Sequence, residues 1–209
     1  MQNSVRLILI ENQTLTRIGI TTVLSLENDI EIVGEAETSA GGFKLLKELR
    51  PDLVLTTLRT ADSCAMDDIE KFLAESPGVK IIVLAEHAGD GEISKALKKG
   101  ALGYLLKNVS PEELVKAIRV VASGKKYIPS NVAQTLTEHL GMEELTPAEQ
   151  TVLRMIVGGM SNKEIGFALD ISENTVKTHA KNIFDKLDVS DRTSATTTAI
   201  RRGLVRIDV

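Results

Sequence analysis

The sequence has no tryptophan, a single cysteine and only 3 % aromatic residues. Each scarcity narrows the field. Cys64 on its own cannot close an internal disulfide or build a cysteine-based metal cluster. It has no evident general-base partner, and an isolated thiol is usually inert. His87, His139 and His179 are far apart in sequence and lack metal-ligand spacing, so no metal site is expected. No apolar run reaches the roughly 18–20 residues that span a bilayer. Met1-Gln2-Asn3-Ser4 lacks the basic-then-apolar pattern of a signal peptide. The expected compartment is therefore the reducing cytoplasm, with no membrane partner. Surplus positive charge is missing too: 25 Lys and Arg stand against 29 Asp and Glu, a net charge of −4. Bulk electrostatics does not point to nucleic acid, so any DNA binding must come from a local patch.

What is present is ordinary globular material, 43 % hydrophobic and 26 % charged over 209 residues, enough for a core in each half. The first half alternates between two periods. Val5–Ile10, Ile30–Val33, Leu53–Leu55, Val79–Leu84 and Gly103–Leu106 are short, nearly continuous apolar runs. Such runs read as central strands buried on both faces. Between them, Gly42, Leu45, Leu46 and Leu49 share one helical face, as do Ile69, Phe72 and Leu73, then Ile93, Ala96, Leu97 and Gly100. Leu114, Ala117, Ile118 and Val121 repeat the spacing behind Ser110-Pro111-Glu112-Glu113, an N-cap serine, a first-turn proline and a capping-box glutamate. Five strands alternating with five helices predict an α/β domain with a doubly wound, five-stranded parallel sheet over residues 1–122. Residues 123–142 read as a linker with a short helix from Val132 to Leu140.

From residue 143 to 209 the period is helical throughout. Thr146-Pro147-Ala148-Glu149 and Ser161-Asn162-Lys163-Glu164 are capping boxes. The first opens a helix carrying Leu153, Ile156, Val157 and Met160, which ends at Gly158-Gly159. The second opens one carrying Ile165, Ala168 and Leu169. After a tight Asp170-Ile171 turn, Ser172 caps a helix with Val176, Ala180, Ile183 and Leu187 as its seam, and a last helix follows Ser190-Asp191. Two short helices so joined form a helix-turn-helix, whose second helix fits a major groove. The face opposite the seam shows Asn174, Lys177, Thr178 and Lys181. Their side chains can bond to base edges or phosphates. On spacing alone, a DNA-reading face and a merely solvated face are equally good readings.

The segments Leu145–Glu149, Ser161–Ile165, Thr175-Val176-Lys177-Thr178-His179, Arg192-Thr193 and Ala199–Leu204 resemble the LuxR/NarL-type helix-turn-helix almost without gaps. The resemblance implies an all-α, four-helix DNA-binding domain whose third helix reads DNA and whose fourth contributes to dimerisation. It implies Lys177, Thr178 and Lys181 as groove contacts and Thr175, Asn162 and Lys163 as backbone contacts. His179 is either an assisting contact or a helix-packing residue.

The first half resembles the receiver domain of NarL/FixJ-type response regulators, through Gly34-Glu35-Ala36, Arg50–Leu55 and Gly100–Lys107. That implies flavodoxin-like strand order and a phosphoryl-accepting pocket. The pocket's chemistry requires an aspartate after the third strand, an acidic pair for Mg²⁺ after the first, a hydroxyl after the fourth and a lysine after the fifth. Here those places hold Thr57, Glu11-Asn12, Ala85 and Lys107, with Tyr104 as the switch-type aromatic. A threonine cannot form the acyl phosphate, and Asp52 lies at the wrong end of its strand. Asp62, Asp67 and Asp68 read as solvated loop or helix-start residues. The domain therefore reads as a pseudo-receiver without cofactor, in which Lys107 turns either to Glu11 as an ion pair or to solvent.

The expected function is a sequence-specific DNA-binding transcription regulator that does not use phosphorylation. Its expected partners are double-stranded DNA and a second copy of the chain, with RNA polymerase a further candidate. The rivals are a conventional phosphorylated response regulator and a module that answers a ligand or protein. An enzyme has no catalytic set to rest on.

Overall fold

The computed structural model describes residues 4–60, 62–138 and 143–205. Among these residues no helix is long and apolar enough to cross a membrane. The chain divides into two compact units, the second taking over from Thr135.

The first unit is built on strands β1 (Val5–Ile10), β2 (Ile30–Ala36), β3 (Leu53–Thr57), β4 (Lys80–Ala85) and β5 (Gly103–Leu106). All pairs are parallel and the order is β2-β1-β3-β4-β5. Helices α1 (Thr14–Leu24), α2 (Ser39–Leu49), α3 (Ala65–Glu75) and α4 (Asp90–Lys98) make the four crossovers, and α5 (Pro111–Ala122) follows the last strand and packs back on the sheet. The expected doubly wound sheet is therefore present. Two strands run further than their apolar runs suggested. β2 lies at the sheet's edge and tolerates the exposed Glu31 and Glu35, while β3 continues through the buried but polar Thr56 and Thr57.

Central strands form here because both faces are covered. On one face Leu7, Leu9, Leu53, Leu55, Ile82, Leu84 and Leu105 pack with Ile20 and Leu24 of α1 and Leu114, Ile118 and Val121 of α5. Each fully buried Leu or Ile contributes about 1.5–3 kcal/mol. On α2, Gly42 is required: a Cβ there would stand 2.1 Å from Ile10 Cδ1. α2 ends at Arg50 in the left-handed conformation (φ 46°), and Pro51 cannot continue it. Asp52 then accepts the Arg6 amide at 2.9 Å, which fixes the start of β3.

The start of α5 departs from expectation. Ser110 caps the Glu113 amide, but the Glu113 carboxylate accepts the Tyr127 hydroxyl at 3.2 Å instead of closing the capping box. Tyr127 also donates its amide to the Leu102 carbonyl at 2.8 Å, so part of the expected linker packs on the sheet. Helix α6 (Ser130–Glu138) starts two residues before the expected Val132. Its expected end at Leu140, and His139, lie outside the described residues.

The second unit holds α7 (Pro147–Val157), α8 (Asn162–Leu169), α9 (Glu173–Leu187) and α10 (Arg192–Arg201). Its core joins Val152, Leu153 and Ile156 of α7, Ile165 of α8, Val176, Ala180, Ile183 and Leu187 of α9, and Ala195 and Ala199 of α10. Both expected capping boxes close, at Thr146/Glu149 and Ser161/Glu164. Ala168, expected on the inner face of α8, is exposed, and Gly166 is buried in its place. The reason is the turn to α9, which folds back on the helix: a Cβ on Gly166 would stand 2.8 Å from the Ile171 carbonyl oxygen.

Candidate functional site

The turn between α8 and α9 is made by Asp170 in the left-handed conformation (φ 54°), after which Ser172 accepts the Thr175 amide at 3.0 Å. The seam of α9 is buried as its period requires. The opposite face therefore points outward: Asn174, Thr175, Lys177, Thr178 and Lys181 are all exposed, as is Lys163 on α8, while Asn162 and His179 are half-buried. Two of these side chains are held by their own helix. The Thr178 hydroxyl donates to the Asn174 carbonyl at 3.1 Å, and Lys177 Nζ lies 2.8 Å from Glu173 Oε1. Thr175 shares a 2.8 Å hydrogen bond with Ser172, which ties it to the cap.

Two partly buried side chains brace the helices behind this face. Lys186 of α9 reaches Glu149 of α7 at 3.0 Å and the Glu144 carbonyl at 3.3 Å. Burial pushes the Glu149 carboxyl up, but hydrogen bonds from Thr146 and Lys186 outweigh it and hold the group below its usual range. Arg192 of α10 donates to the carbonyls of Ile156, at 3.1 Å, and Met160 at the end of α7. Sequence reading passed over Lys186, Glu149 as an ion-pair partner, and Glu173. The i, i+4 spacing of Glu173 and Lys177 was the available signal.

In the first unit the carboxyl ends of β1, β3, β4 and β5 bring the pocket residues to one edge of the sheet. The strand order reverses between β1 and β3, where open α/β sheets place their ligands. Glu11 follows β1 and is wholly buried. Lys107 follows β5, its amide bonded to the Ala85 carbonyl at 2.8 Å. Its ammonium stands 2.9 Å from Glu11 Oε2 and donates to Oε1 at 3.1 Å. The expected ion pair is therefore made, and Glu86 joins it at 3.3 Å. Gln13 extends the network, its amide donating to Glu11 at 2.8 Å and its side chain to Glu86 at 3.0 Å. Thr57 and Ala85 are buried at their strand ends, Asn12 is exposed, and Tyr104 is fully buried with its hydroxyl 3.3 Å from the His87 carbonyl.

The nearby acids have other tasks. Asp52 sits at the amino end of β3. Asp67 is exposed, as expected, and so is Asp62, whose carboxylate accepts the first amides of α2, from Ser39 at 2.8 Å and Ala40 at 3.1 Å. Asp68, expected in solvent, is buried. It accepts hydrogen bonds from Ser39 at 2.7 Å, from Ser63, and from Lys71 at 2.8 Å. The fold brings the start of α2 over that turn of α3, which no local pattern announces.

A receiver-type pocket implies Mg²⁺, a hard cation that takes several oxygen ligands. Glu11 is the single carboxylate directly after β1 and is paired with Lys107, and the other carboxylate of the network, Glu86, is shared with the same lysine, so the donor set does not fit the ion. Among the described residues no group of three His, Cys, Asp or Glu side chains could hold a metal. His87 and His179 stand apart, and Cys64 is half-buried.

Residues 7–119 match the response regulator receiver domain, and residues 143–199 match the bacterial regulatory proteins of the luxR family. The chain belongs to the response-regulator family. Its similarity to known members runs end to end. It is 37 % identical to the transcriptional regulatory protein LiaR of Bacillus subtilis, over 96 % of this chain and 99 % of that protein. It is 32 % identical to the nitrate/nitrite response regulator NarL of Escherichia coli K12, over 93 % and 94 %. Among solved structures, RcsB of Salmonella enterica serovar Typhimurium bound to promoter P1flhDC superposes with a TM-score of 0.76. That match is 26 % identical and covers 94 % of this chain and 98 % of RcsB. Two RcsB dimers bound to two parallel DNAs give 0.75 at 25 % identity, over 95 % and 99 %. This response regulator is thus a DNA-binding transcription factor with a luxR-type helix-turn-helix.

Proposed function

We propose that this response regulator binds specific DNA sequences as a homodimer in the cytoplasm and works without a phosphoryl switch. The observation that carries the reading is the Lys107–Glu11 ion pair in a pocket that has Thr57 where the acceptor carboxylate is needed. An acyl phosphate is a mixed anhydride and cannot form on a hydroxyl. Its Mg²⁺ has half its acidic pair, and Ala85 offers no hydroxyl to an incoming phosphate. The functional division is residues 1–122 as pseudo-receiver, 123–142 as linker and 143–209 as reader. Lys177, Thr178 and Lys181 take the groove, with Thr175, His179, Asn162 and Lys163 on or near the backbone. RcsB dimers on DNA support two copies per site; RNA polymerase is a candidate onward partner within this reading.

The deciding experiment incubates the full chain with acetyl phosphate and Mg²⁺, then reads intact mass and a phosphate-affinity gel. No mass gain is expected. A stoichiometric, Mg²⁺-dependent gain of one phosphoryl group would restore the conventional reading. Sedimentation of the untreated full chain should show a dimer at tens of micromolar; a strict monomer there would remove phosphate-independent pairing.

A further inference from the structure

Between residues 143 and 209 acidic side chains are at least as numerous as basic ones. One of them stands inside the proposed DNA face. Glu173 is the first residue of α9, and its carboxylate lies 2.8 Å from Lys177 one turn on. Both side chains are about half exposed, at 49 % and 58 %. Lys163 of α8 acts on the same carboxylate. The hydrogen bond and charge of Lys177, then the charge of Lys163, hold Glu173 below the usual carboxylate range. Glu173 is therefore ionised at neutral pH and paired with a lysine assigned above to the groove.

The helix does not depend on this residue. Ser172 already caps α9, and four buried seam residues fix it in the core. An acid in a first turn does favour the helix dipole, but that interaction is small and screened. Its effect on unrelated DNA is larger, because there Lys177 finds no matching base edge and only phosphate near the start of α9 competes with Glu173 for it. Sequence-independent binding is almost wholly phosphate neutralisation. Base-edge contacts add to it only where the sequence is right. A fixed negative charge at this place therefore falls hardest on attachment to the wrong sequence.

We propose that Glu173 is a specificity-determining residue, a resident counter-charge that competes with backbone phosphate for Lys177 and so suppresses binding to unrelated DNA. This rests on the DNA-reading face assigned above. The test uses the full chain and two duplexes of equal length: the tightest one that the wild type selects from a random library, and one of mixed sequence. Glu173→Gln should bind the mixed duplex about three- to tenfold more tightly at roughly 0.1 M salt. Its log–log salt dependence should steepen by about 0.9, the value for one more neutralised phosphate. Affinity for the selected duplex should rise by less than about twofold, so the ratio falls. Glu173→Lys should roughly double the change in slope. A helix-stabilising role alone would move neither slope. If Glu173→Gln instead loses the selected duplex with the mixed one unchanged, Glu173 contacts a base and the inference is overturned. Unchanged binding to both duplexes overturns it as well. A wild type that selects no sequence overturns the reading of the face itself, and the inference with it.

Discussion

Replacing Lys107 by methionine should unfold the sheet unit early, because it strands a charge. Glu11 is wholly buried, and the Lys107 side chain is 9 % exposed. Removing one partner of a buried pair costs about 3–5 kcal/mol, since the other charge stays desolvated. Glu11 would keep one hydrogen-bond donor, the Gln13 amide at 2.8 Å. Glu86 does not help, being itself acidic, and its own contact with Lys107 is of the exposed kind that contributes about 0–1 kcal/mol. Glu11→Gln should be milder, at about 1–2 kcal/mol, because Lys107 keeps Glu86 and some solvent. The double variant should cost less than the sum of the two by about 1–3 kcal/mol. The assay is supplied by the sequence. There is no tryptophan, and the two tyrosines, Tyr104 and Tyr127, both belong to the sheet unit. Tyrosine fluorescence of the full chain in urea therefore follows that unit alone. With a urea slope of about 1–3 kcal/mol per molar, Lys107→Met should lower the midpoint by roughly 1–5 M. A shift below about 0.3 M, or strictly additive single variants, would refute the buried-pair reasoning.

On a selected duplex, Lys177→Ala should cost about 1–3 kcal/mol and relax the preference at one base position. Lys163→Ala should weaken all duplexes alike and reduce the salt slope by about 1; full retention of specificity by Lys177→Ala would move the reading face elsewhere. Acid should loosen the second unit through Glu149. Its carboxyl is held below the usual range in the fold, so its stabilisation is complete above the unfolded value and is lost as pH falls through the folded one. Glu149→Gln should therefore melt earlier than the wild type at pH 7 and converge with it only as pH falls below the usual carboxylate range, checked by far-UV melts. In the pocket, the stepwise series Thr57→Asp, Asn12→Asp and Ala85→Thr should recover Mg²⁺ binding before any phosphate-dependent change in DNA affinity. Titration calorimetry and mass measurement follow the two, and phosphorylation of Thr57→Asp alone with full switching would show that Glu11 and Lys107 are no obstacle.

The sequence was most legible where the physics is local. Strand runs, the capping boxes of α7 and α8 and the seam of α9 are patterns within one element, and the structure forms all of them, with two strands longer than their apolar runs. The Glu11–Lys107 pair spans 96 residues, yet it was legible because both residues end strands that the parallel sheet must align. The misses share a cause. Asp68 looked solvated until the start of α2 was laid against it, Glu113 looked like a capping-box acid until Tyr127 folded back, and Ala168 looked internal until the turn after Asp170 claimed the space at Gly166. In each case the local pattern supplied a polar group or a small side chain with one plausible partner, and the tertiary fold supplied a different one. A buried polar group must find some partner, because leaving it unpaired costs about 1–3 kcal/mol. The sequence states that requirement, but which donor meets it depends on the packing of distant elements. The same logic separates the two halves of the functional reading. Periodicity alone exposes the outer side of α9 and the family resemblance makes it a proposed DNA face, whereas the state of the pocket turns on a lysine and a carboxylate that meet only across the sheet.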